Sequence, residues 1–167
     1  MSSTVSVRSA TSADVPAIQH VALAAWRATY DDLFEDDAIA AMVEEGYADD
    51  VLAEMIALDE VGLFVATRDD EVVGYASCGL MDPVGIGDLD IYVHPDHWGE
   101  GIGEALLDRG TAHLADLGTT TIRDEVLVAN DVGNAFYEQH FDRVDRRTVT
   151  FGGRDLPVNV YERSVAD

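Results

Sequence analysis

The chain has 167 residues, enough for one domain with a proper core, and at 47% hydrophobic it reads as globular, not disordered. Its 33 acidic residues against 10 basic ones give a formal net charge of −23 at pH 7, which leaves too little basic surface for nucleic acid. Cys78 is the only cysteine, so an internal disulfide framework and a cysteine-rich metal site are both excluded.

No stretch reaches the length of a membrane-spanning helix, and Met1–Val7 has no apolar signal core. With the lone thiol, this points to a reducing cytoplasm and to no membrane partner. The charge has two readings. One is an acidic surface for a basic partner. The other is adaptation to very high salt, which screens self-repulsion within roughly 3 Å at 1 M. All ten basic residues are arginine, and the acids are scattered over every segment instead of forming one tail, which favours the second reading. The composition resembles that of salt-accumulating archaea.

Val5–Arg8 alternates and reads as a short first strand. Thr11 and Asp14 form a capping-box pair, with Pro16 in the first turn. Val15, Ile18, Ala22, Ala25, Trp26 and Thr29 fall at helical spacing, so a helix runs to about Tyr30. Ala38–Met42 and Asp50–Leu58 are two shorter helical patterns separated by Gly46. After Val61 the period changes to two. Leu63–Arg68 and Val72–Leu80 form a hairpin around Asp69-Asp70-Glu71. Met81–Gly85 is a loop containing Pro83, and Ile86–Val93 is the next strand. A helix from near Gly101 carries Ile102, Ala105, Leu106 and Leu114 toward the core and stops at Gly118. Thr121–Val128 is a strand, and Asn130 opens a helix to about His140. Arg146–Phe151 and Leu156–Arg163 flank Gly152-Gly153 as a closing hairpin. The result is a mixed sheet with helices on its faces, an α/β arrangement.

The stretch from Ile91 to Leu107 carries the chemistry. An apolar strand meets Pro95, then Gly99, Gly101 and Gly103, then a helical pattern. Such a turn exposes backbone amides at a positive helix end, which suits an anion, phosphate above all. A dinucleotide fingerprint fails, because positions 104 and 106 are Glu104 and Leu106 where a third glycine is needed. A phosphate loop fails for want of a following Lys-Ser/Thr. A tight turn without a ligand is the remaining alternative. His94 and His97 straddle a proline with no third ligand in view, so no metal is expected. Cys78 in its β run reads as a small buried hydrophobe.

Val93-His94-Pro95-Asp96-His97-Trp98-Gly99-Glu100-Gly101-Ile102-Gly103-Glu104-Ala105 resembles the signature of the GNAT superfamily, the acyl-CoA-dependent N-acetyltransferases. Gly101 and Gly103 match its Arg/Gln-x-x-Gly-x-Gly/Ala pattern, and Trp98 stands where Arg or Gln is usual. Asn130-Asp131-Val132-Gly133-Asn134-Ala135-Phe136-Tyr137, followed by Phe141, looks like its Asn-x-x-x-x-Ala-x-x-Tyr helix with His140 in place of a glycine. The resemblance covers nearly the whole chain. It implies one domain over residues 1–167, with a mixed, mostly antiparallel central sheet flanked by helices.

The resemblance also implies a cleft where the strand ending at Val93 splays from the strand ending near Val128. Acetyl-CoA would lie there as cosubstrate, with no metal. The amides of Trp98, Gly99, Glu100, Gly101, Ile102, Gly103 and Glu104 would hold the pyrophosphate. Backbone groups of Ile91 and Val93 would pair with the pantetheine arm, and the Val93 amide would polarise the thioester. Glu100 departs from the basic residue common there. Asn130 and Tyr137, seven residues apart, share one helix face. Asn130 is a cap and a cofactor contact. Tyr137 is the candidate acid or else a core aromatic.

The glutamate that many family members carry six residues before the valine is Gly87 here and cannot act as base. Asp88, Asp90 and Tyr92 share one strand face. Either that face lines the acceptor cleft, with Asp90 or Asp88 taking the amine proton, or it is a solvated strand end. The expected activity is acetyl transfer to a primary amine, a cationic small molecule being preferred. A protein N-terminal acetyltransferase and a non-catalytic acyl-CoA-binding regulatory domain are the alternatives. A homodimer is compatible with proteins of this type.

Overall fold

Among the described residues, alternation of apolar and polar residues builds seven strands, and helical periodicity between them builds five α-helices. The structure is a computed structural model that describes residues 4–81 and 85–165. The elements run β1 (Ser6–Ser9), α1 (Val15–Tyr30), α2 (Asp36–Gly46), α3 (Asp49–Ala57), β2 (Gly62–Arg68), β3 (Glu71–Met81) and β4 (Ile86–Val93). There follow α4 (Ile102–Asp116), β5 (Thr121–Leu127), α5 (Asp131–His140), β6 (Asp142–Phe151) and β7 (Arg154–Ser164).

The expected elements are present with shifted ends. β1 starts one residue later than its pattern suggested, the first short helix is longer at both ends, and the second is shifted by one residue at unchanged length. Gly46 is the last residue of α2, not the break; the break is at Tyr47-Ala48. Asp69 and Asp70 both adopt positive φ, which gives the β2–β3 hairpin the twist of its strands. Met81 belongs to β3, and the expected loop around Pro83 lies outside the described residues. Ahead of α1, Asp14 accepts the Thr11 N–H at 2.8 Å and takes both Arg8 nitrogens at 2.7 and 2.9 Å.

The sheet order is β1-β2-β3-β4-β5-β7-β6, and among the described residues only the β4–β5 pair is parallel. The alternation of β2 separates two cores. Leu63 and Val65 face α1, α2 and α3 with Ile18, Ile39, Leu52 and Tyr75. Phe64 and Ala66 face α4 and α5 with Leu89, Leu106, Leu114, Ile122 and Tyr137. In α4 the buried stripe is Ile102, Leu106, Leu107 and Leu114; Ala105, expected inward, is only half-buried. Gly110 lets α4 lie close on β4, since a Cβ there would meet Leu89 at 2.5 Å. At the far edge β6 is almost wholly exposed and hydrogen-bonded only to β7.

Candidate active site

The site begins where the one parallel pairing fails. β4 and β5 are in register at Ile86 with Thr121 and Gly87 with Ile122, and then they part. Successive residues of a strand turn their backbone groups to opposite edges. The His94 N–H goes to Val73 O on β3 at 2.9 Å, so His94, Tyr92 and Asp90 are committed to that side. Leu89, Ile91 and Val93 therefore turn theirs to the gap.

Leu89 is where the ladder ends. Its N–H is donated to Asp124 Oδ1 at 2.9 Å, and its carbonyl accepts from Tyr137 Oη at 2.9 Å. One carboxyl and one phenol thus replace the lost strand partner and satisfy groups that would be costly to leave buried and unpaired. Two residues on, Ile91 presents its backbone to the open gap. The Val93 carbonyl accepts the indole N–H of Trp98 at 2.9 Å. Of the Val93 groups expected to meet a pantetheine arm, only the amide is left for that purpose.

The glycine turn follows. Gly99 and Gly101 sit at φ +80° and +84°, which side chains other than glycine rarely adopt. Gly101 is the N-cap of α4 and has no side chain to cap it. The first helical bond runs from the Ala105 N–H to Gly101 O at 3.2 Å, so the amides of Ile102, Gly103 and Glu104 have no helical partner. Gly103 allows α5 to approach: a Cβ there would lie 2.9 Å from the Phe136 ring. The carboxylate of Glu100 pairs with Arg68 of β2 at 2.5 Å and lies 3.1 Å from His97 Nδ1. That explains how an acid is tolerated beside an anion site, and Glu100 lines neither cavity described next. Glu104 Oε1 lies 3.5 Å from His140 Nε2.

Two cavities open from the gap. One, of about 420 Å³, is lined by Val93, Trp98, Gly99, Gly101, Ile102, Gly103 and Glu104, with α5 opposite. The other, of about 320 Å³, holds Asp90, Glu125 and the aromatic side chains Trp26, Tyr30, Tyr47, Tyr92 and Phe151. Ile91, Tyr92, Asn130, Gly133 and Tyr137 line both, so the cavities meet at the helix face that carries Asn130 and Tyr137. Of the expected site residues, Asp88 lines neither cavity. Asn130 caps α5, accepting the Gly133 N–H at 2.8 Å.

The titrating groups differ in their surroundings. Asp90 is an exposed residue whose surface opens to the second cavity, between the protein walls that line it. Loss of bulk water and the nearby charge of Asp88 raise its pKa to about 7. Asp124 is 4% exposed, and its Oδ2 has no hydrogen-bond partner among the described residues. Burial, and then the charge of Asp90, push it well above the ordinary carboxylate range. Tyr137 is pushed well above the usual phenol value, first by burial and then by Asp124. It therefore keeps its proton at neutral pH. Burial raises Cys78 to about 12, which leaves no thiolate for attack.

The family pattern described as Acetyltransferase (GNAT) family matches residues 22–142, from the middle of α1 to the first residue of β6. The chain belongs to the GNAT acetyltransferase family. It is an acyltransferase. The fold is similar to that of the PaiA N-acetyltransferase from Thermoplasma acidophilum in complex with coenzyme A, at 20% identity and TM-score 0.80 over 96% of this chain and 99% of that one. It is also similar to the ribosomal-protein-S18-alanine N-acetyltransferase from Escherichia coli, at 19% identity and TM-score 0.71 over 98% and 96%. The yncA structure from Salmonella typhimurium with its cofactor acetyl-CoA matches at 22% identity and TM-score 0.70 over 98% and 95%. No curated protein matches the chain by sequence.

Several residues of this acyltransferase's site escape the motifs. Asn134 anchors α5: its Nδ2 donates to Leu127 O at 2.9 Å, and its Oδ1 accepts from Tyr161 Oη at 2.6 Å and Asn159 Nδ2 at 2.9 Å. Asp124 carried a signal, an acid on the apolar face shared with Ile122 and Val126. Trp26 and Tyr30 also carried one, as an aromatic pair four residues apart on α1. Glu125 carried none, because its side of β5 is polar.

Proposed function

We propose that the enzyme transfers the acetyl group of acetyl-CoA directly to a primary amine, a cationic small molecule in preference to a protein. The observation that carries this is the meeting of the two cavities at Tyr137 and Asn130, in the gap between β4 and β5. The first cavity suits acetyl-CoA. Free amides of Ile102, Gly103 and Glu104 would take the pyrophosphate, several together because each exposed dipole contact contributes only about 0.3–1 kcal/mol. The backbone of Ile91 and the amide of Val93 would hold the arm. Trp98 and the backbone of Gly99 would border it, and Glu100 would contribute no side-chain contact.

Bound there, acetyl-CoA supplies an activated acyl group as a thioester. Asp90 takes the proton of the acceptor ammonium, and the free amine forms the new C–N bond as the C–S bond breaks. Tyr137 delivers its proton to the departing sulfur and is reprotonated by the second proton that the nitrogen loses as it becomes the amide. Glu125, in the same cavity, is a second carboxylate from which a base could come.

A protein N-terminal acceptor remains the second reading, favoured by likeness to the Escherichia coli S18-alanine enzyme. The deciding measurement is thiol release from acetyl-CoA with a panel of amines and alanine-terminated peptides. Binding of coenzyme A without turnover on any acceptor would instead point to a regulatory acyl-CoA-binding domain. We further read residues 1–167 as one domain and its charge of −23 as adaptation to molar salt in a cytoplasmic setting.

A further inference from the structure

The second cavity has walls of an unusual kind. Trp26 is the hub of its aromatic lining, with ring centroids 5.3 Å from Tyr30, 6.2 Å from Tyr47, 6.1 Å from Tyr92 and 5.6 Å from Phe151. The hydroxyls of Tyr30, Tyr47 and Tyr92 have tyrosine partners, whereas the Trp26 indole N–H has no hydrogen-bond partner among the described residues. Tyr75 Oη donates to Tyr47 Oη at 2.6 Å, and the hydroxyls of Tyr30 and Tyr92 are 3.4 Å apart. The Asn130 side-chain oxygen is used by Gly133. Among the described residues, the only charged ones in the lining are Asp90 and Glu125. Arg147, which is not part of the lining, has its guanidinium 3.6 Å from Glu125.

We infer that the acceptor is a hydrophobic primary amine without a carboxylate, an arylalkylamine or alkylamine whose ammonium sits by Asp90 and whose body lies among Trp26, Tyr30, Tyr92 and Phe151. This rests on the second cavity being the acceptor site. Aromatic rings attract an ammonium through their negative faces and shelter a hydrocarbon body. An α-carboxylate in the same place would meet Asp90 with no cation in the lining to receive it, since Arg147 is not part of the lining and is already paired with Glu125, and the repulsion disfavours it.

The test compares 2-phenylethylamine, phenylalanine and phenylalaninamide as acceptors, a set that differs only at the α-substituent. The inference expects kcat/KM to fall about 100-fold or more from the amine to the amino acid. The uncharged amide should recover at least a tenth of the loss. Equal use of phenylalanine, or an amide as poor as the acid, overturns it. Phe151→Leu, on β6 in the lining of this cavity alone, should raise the amine KM severalfold and leave the acetyl-CoA KM unchanged; an unchanged amine KM also counts against it. Should no acceptor turn over, fluorescence titration of the coenzyme A-loaded protein separates the two ideas. Saturable binding of 2-phenylethylamine but not of phenylalanine keeps the acceptor class and removes the transfer reaction. No binding of the amine removes the acceptor class.

Discussion

Asp124 accepts the Leu89 N–H at 2.9 Å across the gap where β4 leaves β5. A side chain here stands in for a strand. Its other oxygen has no hydrogen-bond partner among the described residues, and burial raises its pKa well above the unfolded value of 3.8. The sign follows. Below pH 3.8 the acid is neutral in both states and carries no penalty. As pH rises toward and through the raised folded value, the folded state alone resists ionisation, and stability is lost. Asp124→Asn keeps the acceptor for Leu89 and removes the ionisation. It should melt higher than the parent at neutral and alkaline pH, by roughly 2–4 °C for each kcal/mol gained, and the difference should vanish in acid. Calorimetry from pH 4 to pH 9 checks this. A variant less stable at every pH would mean that Asp124 is held ionised.

Tyr137 completes the same junction through Leu89 O, so its removal has two separable effects. Tyr137→Phe should cost about 1 kcal/mol of stability through the lost hydrogen bond. As loss of a general acid, it should lower kcat by about 100-fold, with acetyl-CoA KM nearly unchanged. Steady-state kinetics beside a melting curve read both. Loss of stability with kcat intact would leave Tyr137 as a strut.

The pH profile tests Asp90. A base must be ionised to act, and this one titrates near pH 7, so kcat/KM should fall as pH drops below about 7. Asp90→Asn should abolish most activity and that acid limb. Asp88→Asn is the sharper variant, because Asp88 lines neither cavity and acts on Asp90 by charge. Removing that charge should lower the Asp90 pKa and slide the limb to lower pH with the plateau unchanged. An acid limb that stays in place in Asp90→Asn would transfer the role to Glu125.

Much of this arrangement could be read from the chain. Glycines at 99, 101 and 103 and the Asn130–Tyr137 spacing are local patterns, and local patterns survive in sequence. The Ile86–Val93 strand was placed to the residue for the same reason. What stayed hidden depends on distant partners. Nothing near Glu100 announces Arg68, which lies 32 residues earlier in sequence. Nor does Trp98 announce the Val93 carbonyl, because a departure from a pattern does not say where the side chain goes. The aromatic cavity draws on α1, β4 and β6 and the segment after α2, so only the fold assembles it.

Glu100 also gives the enzyme a testable response to salt. Its carboxylate holds Arg68 at 2.5 Å beside the amides of the glycine turn. Glu100→Gln removes a negative charge from the edge of an anion site and frees a guanidinium. The acetyl-CoA KM should fall about two- to fivefold in 0.1 M salt, where the Debye length is about 10 Å. In 1 M salt that length is about 3 Å, and most of the difference should disappear. Arg68→Ala should act in the opposite direction with the same salt dependence, because it leaves Glu100 with only His97 beside it. KM measured at both salt concentrations for the three proteins decides the matter. A salt-independent change would mean that the pair shapes the turn sterically; no change at all would mean that the cofactor's charge is felt elsewhere.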